Sequence, residues 1–171
     1  MRRVVLVLAD GLRPDAITPG VMPSLDALGG MMRRVTHLGG ARATLSAGCA
    51  PLLWDRRLGA AALLANAGSH VVVQLLKRTV QRPRPCDASG VPLALVDLPD
   101  QHSFPSGHAA AASAVAAAVA IAHPLLAPFV LPLAGVVAYS RVALRVHHVS
   151  DVLAGVAVGL AGAIGATYLL H

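Results

Sequence analysis

The sequence predicts an all-α, multi-pass transmembrane helical bundle of four to five spans. Three observations carry that expectation. Hydrophobic residues make up 56% of the 171 positions and charged residues only 13%, against roughly 45–50% and 25% in ordinary soluble domains. The charges sit singly or in pairs at the ends of apolar runs rather than along them. Alanine and glycine crowd those runs, as expected where helices pack closely in lipid without a hydrophobic force to drive them together. The same composition excludes a disordered chain, which needs low hydrophobicity, and the length argues against a two-domain soluble enzyme.

Residues 1–36 differ from the rest. Arg2 and Arg3 precede an apolar run, Val4 to Ala9, followed by Asp10-Gly11 and a stretch containing Pro14, Pro19 and Pro23. Six apolar residues are too few for a signal-peptide core. They predict a short buried strand and a turn in a non-membrane N-terminal segment. Residues 37–171 then hold five apolar segments. The first, 37–54, is the weakest, because Gly39, Gly40, Gly48, Arg42 and Pro51 interrupt it. The second, 58–80, ends in a basic cluster. A polar loop over 81–104 carries Pro83, Pro85, Pro92 and Pro99. The third, 106–123, is alanine-rich and bounded by Pro105 and Pro124. The fourth, 125–144, contains Pro128 and Pro132, tolerable in a membrane helix whose neighbours satisfy the freed carbonyls. The fifth, 148–170, would reach roughly 35 Å as a helix, enough for a hydrocarbon core of about 30 Å. Its Gly155 and Gly159 are read as an intramolecular packing face.

The net charge is +6, from thirteen Arg and one Lys, Lys77, against eight Asp and no Glu. The basic residues do not lie on a polar, aromatic-studded surface, so nucleic acid is not the expected partner. They suit anionic headgroups or a phosphorylated ligand. Cys49 and Cys86 form no CxxC pair and read as free thiols.

Ionisable residues beside membrane helices are costly and raise a functional hypothesis by default. Here they form three clusters. Lys77 to Pro85 closes the second segment, Phe104-Pro105-Ser106-Gly107-His108 opens the third, and Ser140-Arg141 with His147 and Asp151 joins the fourth to the fifth. If consecutive spans alternate in direction, all three clusters share one face. Lys77, Arg84, Arg141 and also Arg82 would then converge with two histidines and an aspartate. Such a cluster wants an anion, and phosphate suits Arg as a bidentate donor and Lys as a point charge. Pro105 suits a helix start, so Ser106, Gly107 and His108 would offer first-turn N–H groups to that anion. His147 and Asp151, spaced i, i+4, would share a helix face. The carboxylate can then fix the imidazole tautomer and leave the other nitrogen free as a nucleophile. His108 would protonate the leaving oxygen. Taken singly, the basic cluster reads as a headgroup anchor and the His/Asp pair as a capping pair. Arg145 and His148 read as solvated loop residues.

Lys77-x6-Arg84-Pro85, Pro105-Ser106-Gly107-His108 and Ser140-Arg141-x5-His147-x3-Asp151 resemble the three-part signature of the type 2 phosphatidic acid phosphatases. That lipid phosphate phosphatase superfamily also includes undecaprenyl pyrophosphate phosphatases and vanadium haloperoxidases. The resemblance covers about residues 37–170. It implies a phosphatase acting on a lipid phosphate monoester or pyrophosphate, with His147 attacking phosphorus and Asp151 orienting it. His108 would be the general acid. Lys77, Arg84, Ser106, the Gly107 N–H and Arg141 would hold the phosphoryl oxygens. No metal and no cofactor are implied. The partners implied are a lipid phosphate and the bilayer, in a cell membrane, with the site at the extracytoplasmic face. Undecaprenyl pyrophosphate, phosphatidic acid and phosphatidylglycerol phosphate are all candidate substrates, and oligomeric state is left open.

Two features depart from that family. Its integral members commonly have six membrane helices, and the first of them is absent here. Asp10-Gly11-Leu12-Arg13-Pro14-Asp15 and Met22 to Leu28 are instead similar to the start of alkaline-phosphatase-superfamily phosphodiesterases, in which the residue matching Asp10 binds a metal. Most of that domain is missing, so a remnant or fusion piece is the reading for 1–36. Thr44 falls near the position of that family's nucleophile but reads as part of the first weak span. Asp55-Arg56-Arg57 fits a cytoplasmic turn, whereas Arg33, Arg34 and Arg42 would fall outside. The rival readings are a vanadate-dependent haloperoxidase on the same site and a non-catalytic or incomplete membrane relative.

Overall fold

The computed structural model describes residues 23–98 and 100–170, so the strand and turn expected near Val4–Gly11, with Asp10, lie outside the described residues. Six α-helices are present among those described: α1 Pro23–Thr36, α2 Ala41–Cys49, α3 Arg56–Val80, α4 Gly107–Ala122, α5 Ala127–Ala143 and α6 Val149–Leu170. No strand occurs among the described residues, only isolated bridges such as Pro83 with His102. Segment 37–54 holds no helix long enough to cross a membrane. Gly39 and Gly40 break the segment into a 3-10 turn and the nine-residue α2, and Pro51 starts a second 3-10 turn. At 1.5 Å per residue, α2 reaches only about 14 Å.

Three helices are long and apolar enough to cross a membrane: Arg56–Val80, Pro124–Ala143 (the last 3-10 turn plus α5) and Val149–Leu170. The fourth apolar helix, α4, has 16 residues and is wrapped by α3, α5 and α6. The outer helices turn Leu75, Phe129, Leu133, Leu153 and Ile164 outward, the side chains expected against lipid. The protein is an all-α membrane protein.

The packing follows from small side chains. One core cluster consists entirely of alanines from α3, α4 and α6. A Cβ added to Gly155 would collide with the Ser106 carbonyl, one on Gly159 with the Ala110 carbonyl, and one on Gly162 with Ser69 Oγ. These three glycines of α6 are therefore used within the chain, against α4 and α3, whereas Gly165 faces open space. Capping sets the helix ends that matter. Asp55 accepts from Leu58 N at 3.0 Å to start α3, and Gln81, at φ 49, closes it with its N–H on the Lys77 carbonyl. Ser106 caps α4, its side chain accepting from Ala109 N at 3.4 Å.

α1 packs on α5 and on the loop after α3: Met32 is buried with Leu144 and Val146, against Val96 and Leu98. The alternating helices bring the end of α3, the start of α4, the end of α5 and the start of α6 together. Ser106 N–H donates to the Asp151 carbonyl at 2.9 Å, and Leu95 N–H donates to the Leu144 carbonyl at 3.1 Å.

Candidate active site

The three clusters meet at this end of the bundle. Lys77 arrives from the last turn of α3, where the helix axis carries it to the polar rim. Arg84 follows from the loop, its Nη1 donating to the Val146 carbonyl at 2.8 Å. That bond ties the loop to the turn between α5 and α6. Arg141 comes from the last turn of α5 and His147 from the turn beyond it. Lys77, Arg84, Arg141 and His147 are all buried, at 3–7% exposed. A cavity of about 570 Å³ is lined by all four, together with Gly107 and His108 at the start of α4.

His147 Nδ1 lies 2.7 Å from the Ser103 carbonyl oxygen and 3.8 Å from Asp151 Oδ2. A carbonyl can only accept, so Nδ1 carries the proton and Nε2 is the bare nitrogen. The direct carboxylate–imidazole bond expected from the i, i+4 spacing is thus replaced by a backbone one. Asp151 itself is fully buried. Its Oδ2 accepts from Ser103 Oγ, from His148 N at 2.8 Å and from His148 Nδ1 at 3.1 Å. Its Oδ1 accepts from Arg82 Nη1 at 2.9 Å, and Arg82 also donates to Ser150 Oγ. Arg82 therefore braces the aspartate rather than lining the cavity, and His148 is a half-buried partner of Asp151 rather than a solvated loop residue. Burial, with the positive charges of Arg84, Arg141 and Lys77, pushes the His147 imidazole down to about 3, so the nitrogen stays neutral and nucleophilic at physiological pH.

The cations are held unequally. Lys77 Nζ and Arg84 Nη2 both contact Asp100. Arg141 Nη1 donates to Thr36 Oγ1, the last residue of α1, while its buried Nε has no hydrogen-bond partner among the described residues. A buried unpartnered guanidinium nitrogen is costly, and here it belongs to a residue lining the cavity. Ser106 does not line the cavity: its hydroxyl caps α4 and its N–H serves the Asp151 carbonyl. Gly107 does line it, and a Cβ there would meet only Val73 Cγ1 at 3.7 Å.

Comparison with known sequences decides the family. The sequence profile described as the PAP2 superfamily matches residues 58–171. The chain belongs to the PAP2 superfamily. It is 43% identical over 100 residues to a decaprenylphosphoryl-5-phosphoribose phosphatase of Mycobacterium tuberculosis, covering 57% of this chain and 54% of that relative. The chain thus spans about half the length of the curated relatives it matches. Its fold is similar to the crystal structure of Aquifex aeolicus LpxE, with TM-score 0.74 and 20% identity over 98% of this chain and 94% of that one. It is also similar to a transmembrane PAP2 type phosphatidylglycerolphosphate phosphatase from Bacillus subtilis, with TM-score 0.67 and 25% identity over 98% and 92%.

At this candidate site, three residues are not legible from the motifs: Asp100, Ser103 and Thr36. The only forewarning in the sequence was electrostatic, since three buried cations beside one aspartate leave charge to be balanced. The cavity also runs on past the cations. Thr44, Asn66, His70 and Gln74 line it alongside Leu45, Ala67 and Val71. Thr44 is not a free nucleophile, because its hydroxyl donates to the Gly40 carbonyl at 3.1 Å and accepts from Asn66 Nδ2 at 3.3 Å.

Proposed function

We propose that the protein is a membrane phosphatase that hydrolyses a lipid-linked phosphate ester through a phosphohistidine on His147. The observation that carries this reading is the unpartnered Arg141 Nε, on a cavity wall shared with His147, His108, Lys77 and Arg84. In the first step Nε2 of His147 attacks phosphorus, the P–O bond to the lipid breaks, and His108 gives its proton to the leaving oxygen. In the second, water attacks the phosphohistidine with His108 taking its proton, and the P–N bond breaks to release phosphate. The Ser103 carbonyl holds the reactive tautomer, and Asp151 supplies negative charge 3.8 Å away as the imidazole becomes positive. Lys77, Arg84, Arg141 and the Gly107 N–H stabilise the equatorial oxygens as charge develops. Ser106 acts by holding the start of α4. These roles need no metal.

For the substrate we propose a polyprenyl-phosphoryl sugar phosphate, the class named for the Mycobacterium tuberculosis relative. Support comes from Asn66, His70 and Gln74, which follow one another at i, i+4 down the cavity face of α3. Polar side chains in a membrane helix are costly unless they face the bundle interior or a cavity, and on an otherwise largely apolar wall these three suit hydroxyls beside the phosphate. The reading sets the site at the extracytoplasmic face, with Asp55-Arg56-Arg57 at the cytoplasmic end of α3. It takes residues 37–171 as the membrane domain, with α1 docked upon it.

The test is phosphate release from a panel of lipid phosphates by the wild type and His147→Ala. Release by the wild type and a loss of about 10⁴-fold or more in the variant is the expected result, unaffected by EDTA. Equal release from both would overturn the nucleophile. Loss in EDTA restored by Mg²⁺ or Zn²⁺ would overturn the metal-free mechanism.

A further inference from the structure

Asp100 belongs to none of the three motifs, yet it sits on the donors a phosphate needs. Both its carboxylate oxygens accept from Lys77 Nζ at 3.0 Å, and Oδ1 accepts from Arg84 Nη2 at 2.8 Å. Lys77 also donates to the His102 carbonyl at 2.8 Å, and Arg84 Nε donates to the Asp100 carbonyl at 2.9 Å. The three protons of Lys77 and one edge of Arg84 are thus committed to a single short loop. A carboxylate and a phosphoryl group offer cations the same feature, a pair of anionic oxygens. Arg141, on the same cavity, pairs with no carboxylate among the described residues.

We propose that Asp100 is an internal counter-anion, displaced from Lys77 and Arg84 by the substrate's phosphoryl oxygens, whose return helps expel the product phosphate. This rests on the phosphatase reading above. Two anions cannot share the same donors without meeting each other, and like charges in contact repel strongly. Which one yields follows from burial. The side chains of Lys77 and Arg84 are 7% and 5% exposed, while that of Asp100 is 38% exposed, on irregular chain beside solvent. Burial alone would raise the Asp100 carboxyl, but Lys77 and Arg84 together hold it below its ordinary value. Asp100 is therefore charged and can move outward into water. The exchange makes Asp100 a determinant of phosphate affinity and of product release, a step that often limits turnover.

A purely structural post holding Lys77 and Arg84 in place predicts the opposite response to mutation. The experiment uses the full chain in detergent and reads inhibition by inorganic phosphate, together with KM and kcat for the best lipid phosphate. Asp100→Asn removes the competing charge and keeps the shape. It is expected to tighten phosphate inhibition about tenfold and to lower KM, because the cradle is no longer self-occupied, while kcat falls as product lingers. Asp100→Glu, which restores the competing charge, is expected to bring phosphate inhibition back toward the wild-type value. Weaker phosphate inhibition with a raised KM in Asp100→Asn would overturn the proposal, as would no change. If Asp100→Asn does not fold, Asp100→Ser carries the same expectation. If the wild type releases phosphate from no lipid, the phosphatase reading fails by itself. The thermal shift produced by inorganic phosphate, larger in Asp100→Asn than in wild type, then reads the inference alone.

Discussion

In the middle of the bundle α4 and α6 approach until backbone meets backbone, with Gly159 against the Ala110 carbonyl and Gly155 against that of Ser106. The alanine cluster beside this contact holds no polar atom beyond the main chain. At the polar end the same two helices meet through directed bonds: Ser106 N–H on the Asp151 carbonyl, Ser103 Oγ and His148 on its carboxylate, and Arg82 outside them. The first region is held by shape, since close packing of small residues gains dispersion at every atom. The second is held by charge that the bundle keeps from water. Helices shared by both regions thus carry apolar packing at one level and the candidate site at another, and the two can be separated by mutation.

The largest separation is expected at Arg141. Arg141→Gln should lower kcat/KM by roughly 10²–10³-fold, the usual cost of losing one donor to a developing oxyanion. Its melting temperature should stay level or rise, because a buried, partly unpaired charge is gone. A fall in melting temperature with activity kept would erase the distinction between the two regions. Gly159→Leu is the reverse case. The new side chain has no room against α4, and a loss of about 3 kcal/mol or more is expected by urea or thermal unfolding, with activity lost only as the fold is.

The acid side of the stability curve sharpens the contrast further. Unfolded, His147 takes up a proton near its ordinary value of 6.5, whereas folded it does so only near 3. Between those values the unfolded chain binds more protons, so stability falls as pH is lowered from about 7 toward 3. The expected loss from this group is about 2 kcal/mol at pH 5. His147→Gln should show a shallower decline in unfolding midpoints measured from pH 7 to 5. The smallest effect is expected from Ser103→Ala, which cuts the hydroxyl link to Asp151 but keeps the carbonyl on Nδ1. A drop of about tenfold in kcat with KM unchanged would fit a group that orients rather than binds.

What the sequence made legible were the pieces whose position is set locally. Pro105 and Ser106 mark a helix start, and Lys77 and Arg141 sit where apolar runs end, so their convergence follows from helices that alternate in direction. Gly155 and Gly159 were readable as an internal packing face for the same reason. The direct His147–Asp151 bond was over-read, because the spacing puts both residues on one face only if both are helical, and α6 begins at Val149. Hydropathy averages across Gly39, Gly40 and Pro51, so segment 37–54 reads as a weak apolar segment while those residues break it into short helices. Asp100 and Ser103 enter through a proline-rich loop with no periodicity, and Thr36 through tertiary docking of α1. None of these leaves a local signature.

The bond from Arg141 to Thr36 joins residues 105 apart in the chain. A contact of such separation costs loop-closure entropy before it contributes any stability. In a protein made from its N-terminus, α1 is complete long before α5 exists to receive it. The Arg141–Thr36 contact therefore cannot form until α5 has been made, and a chain still being synthesised carries α1 without the partner it docks on.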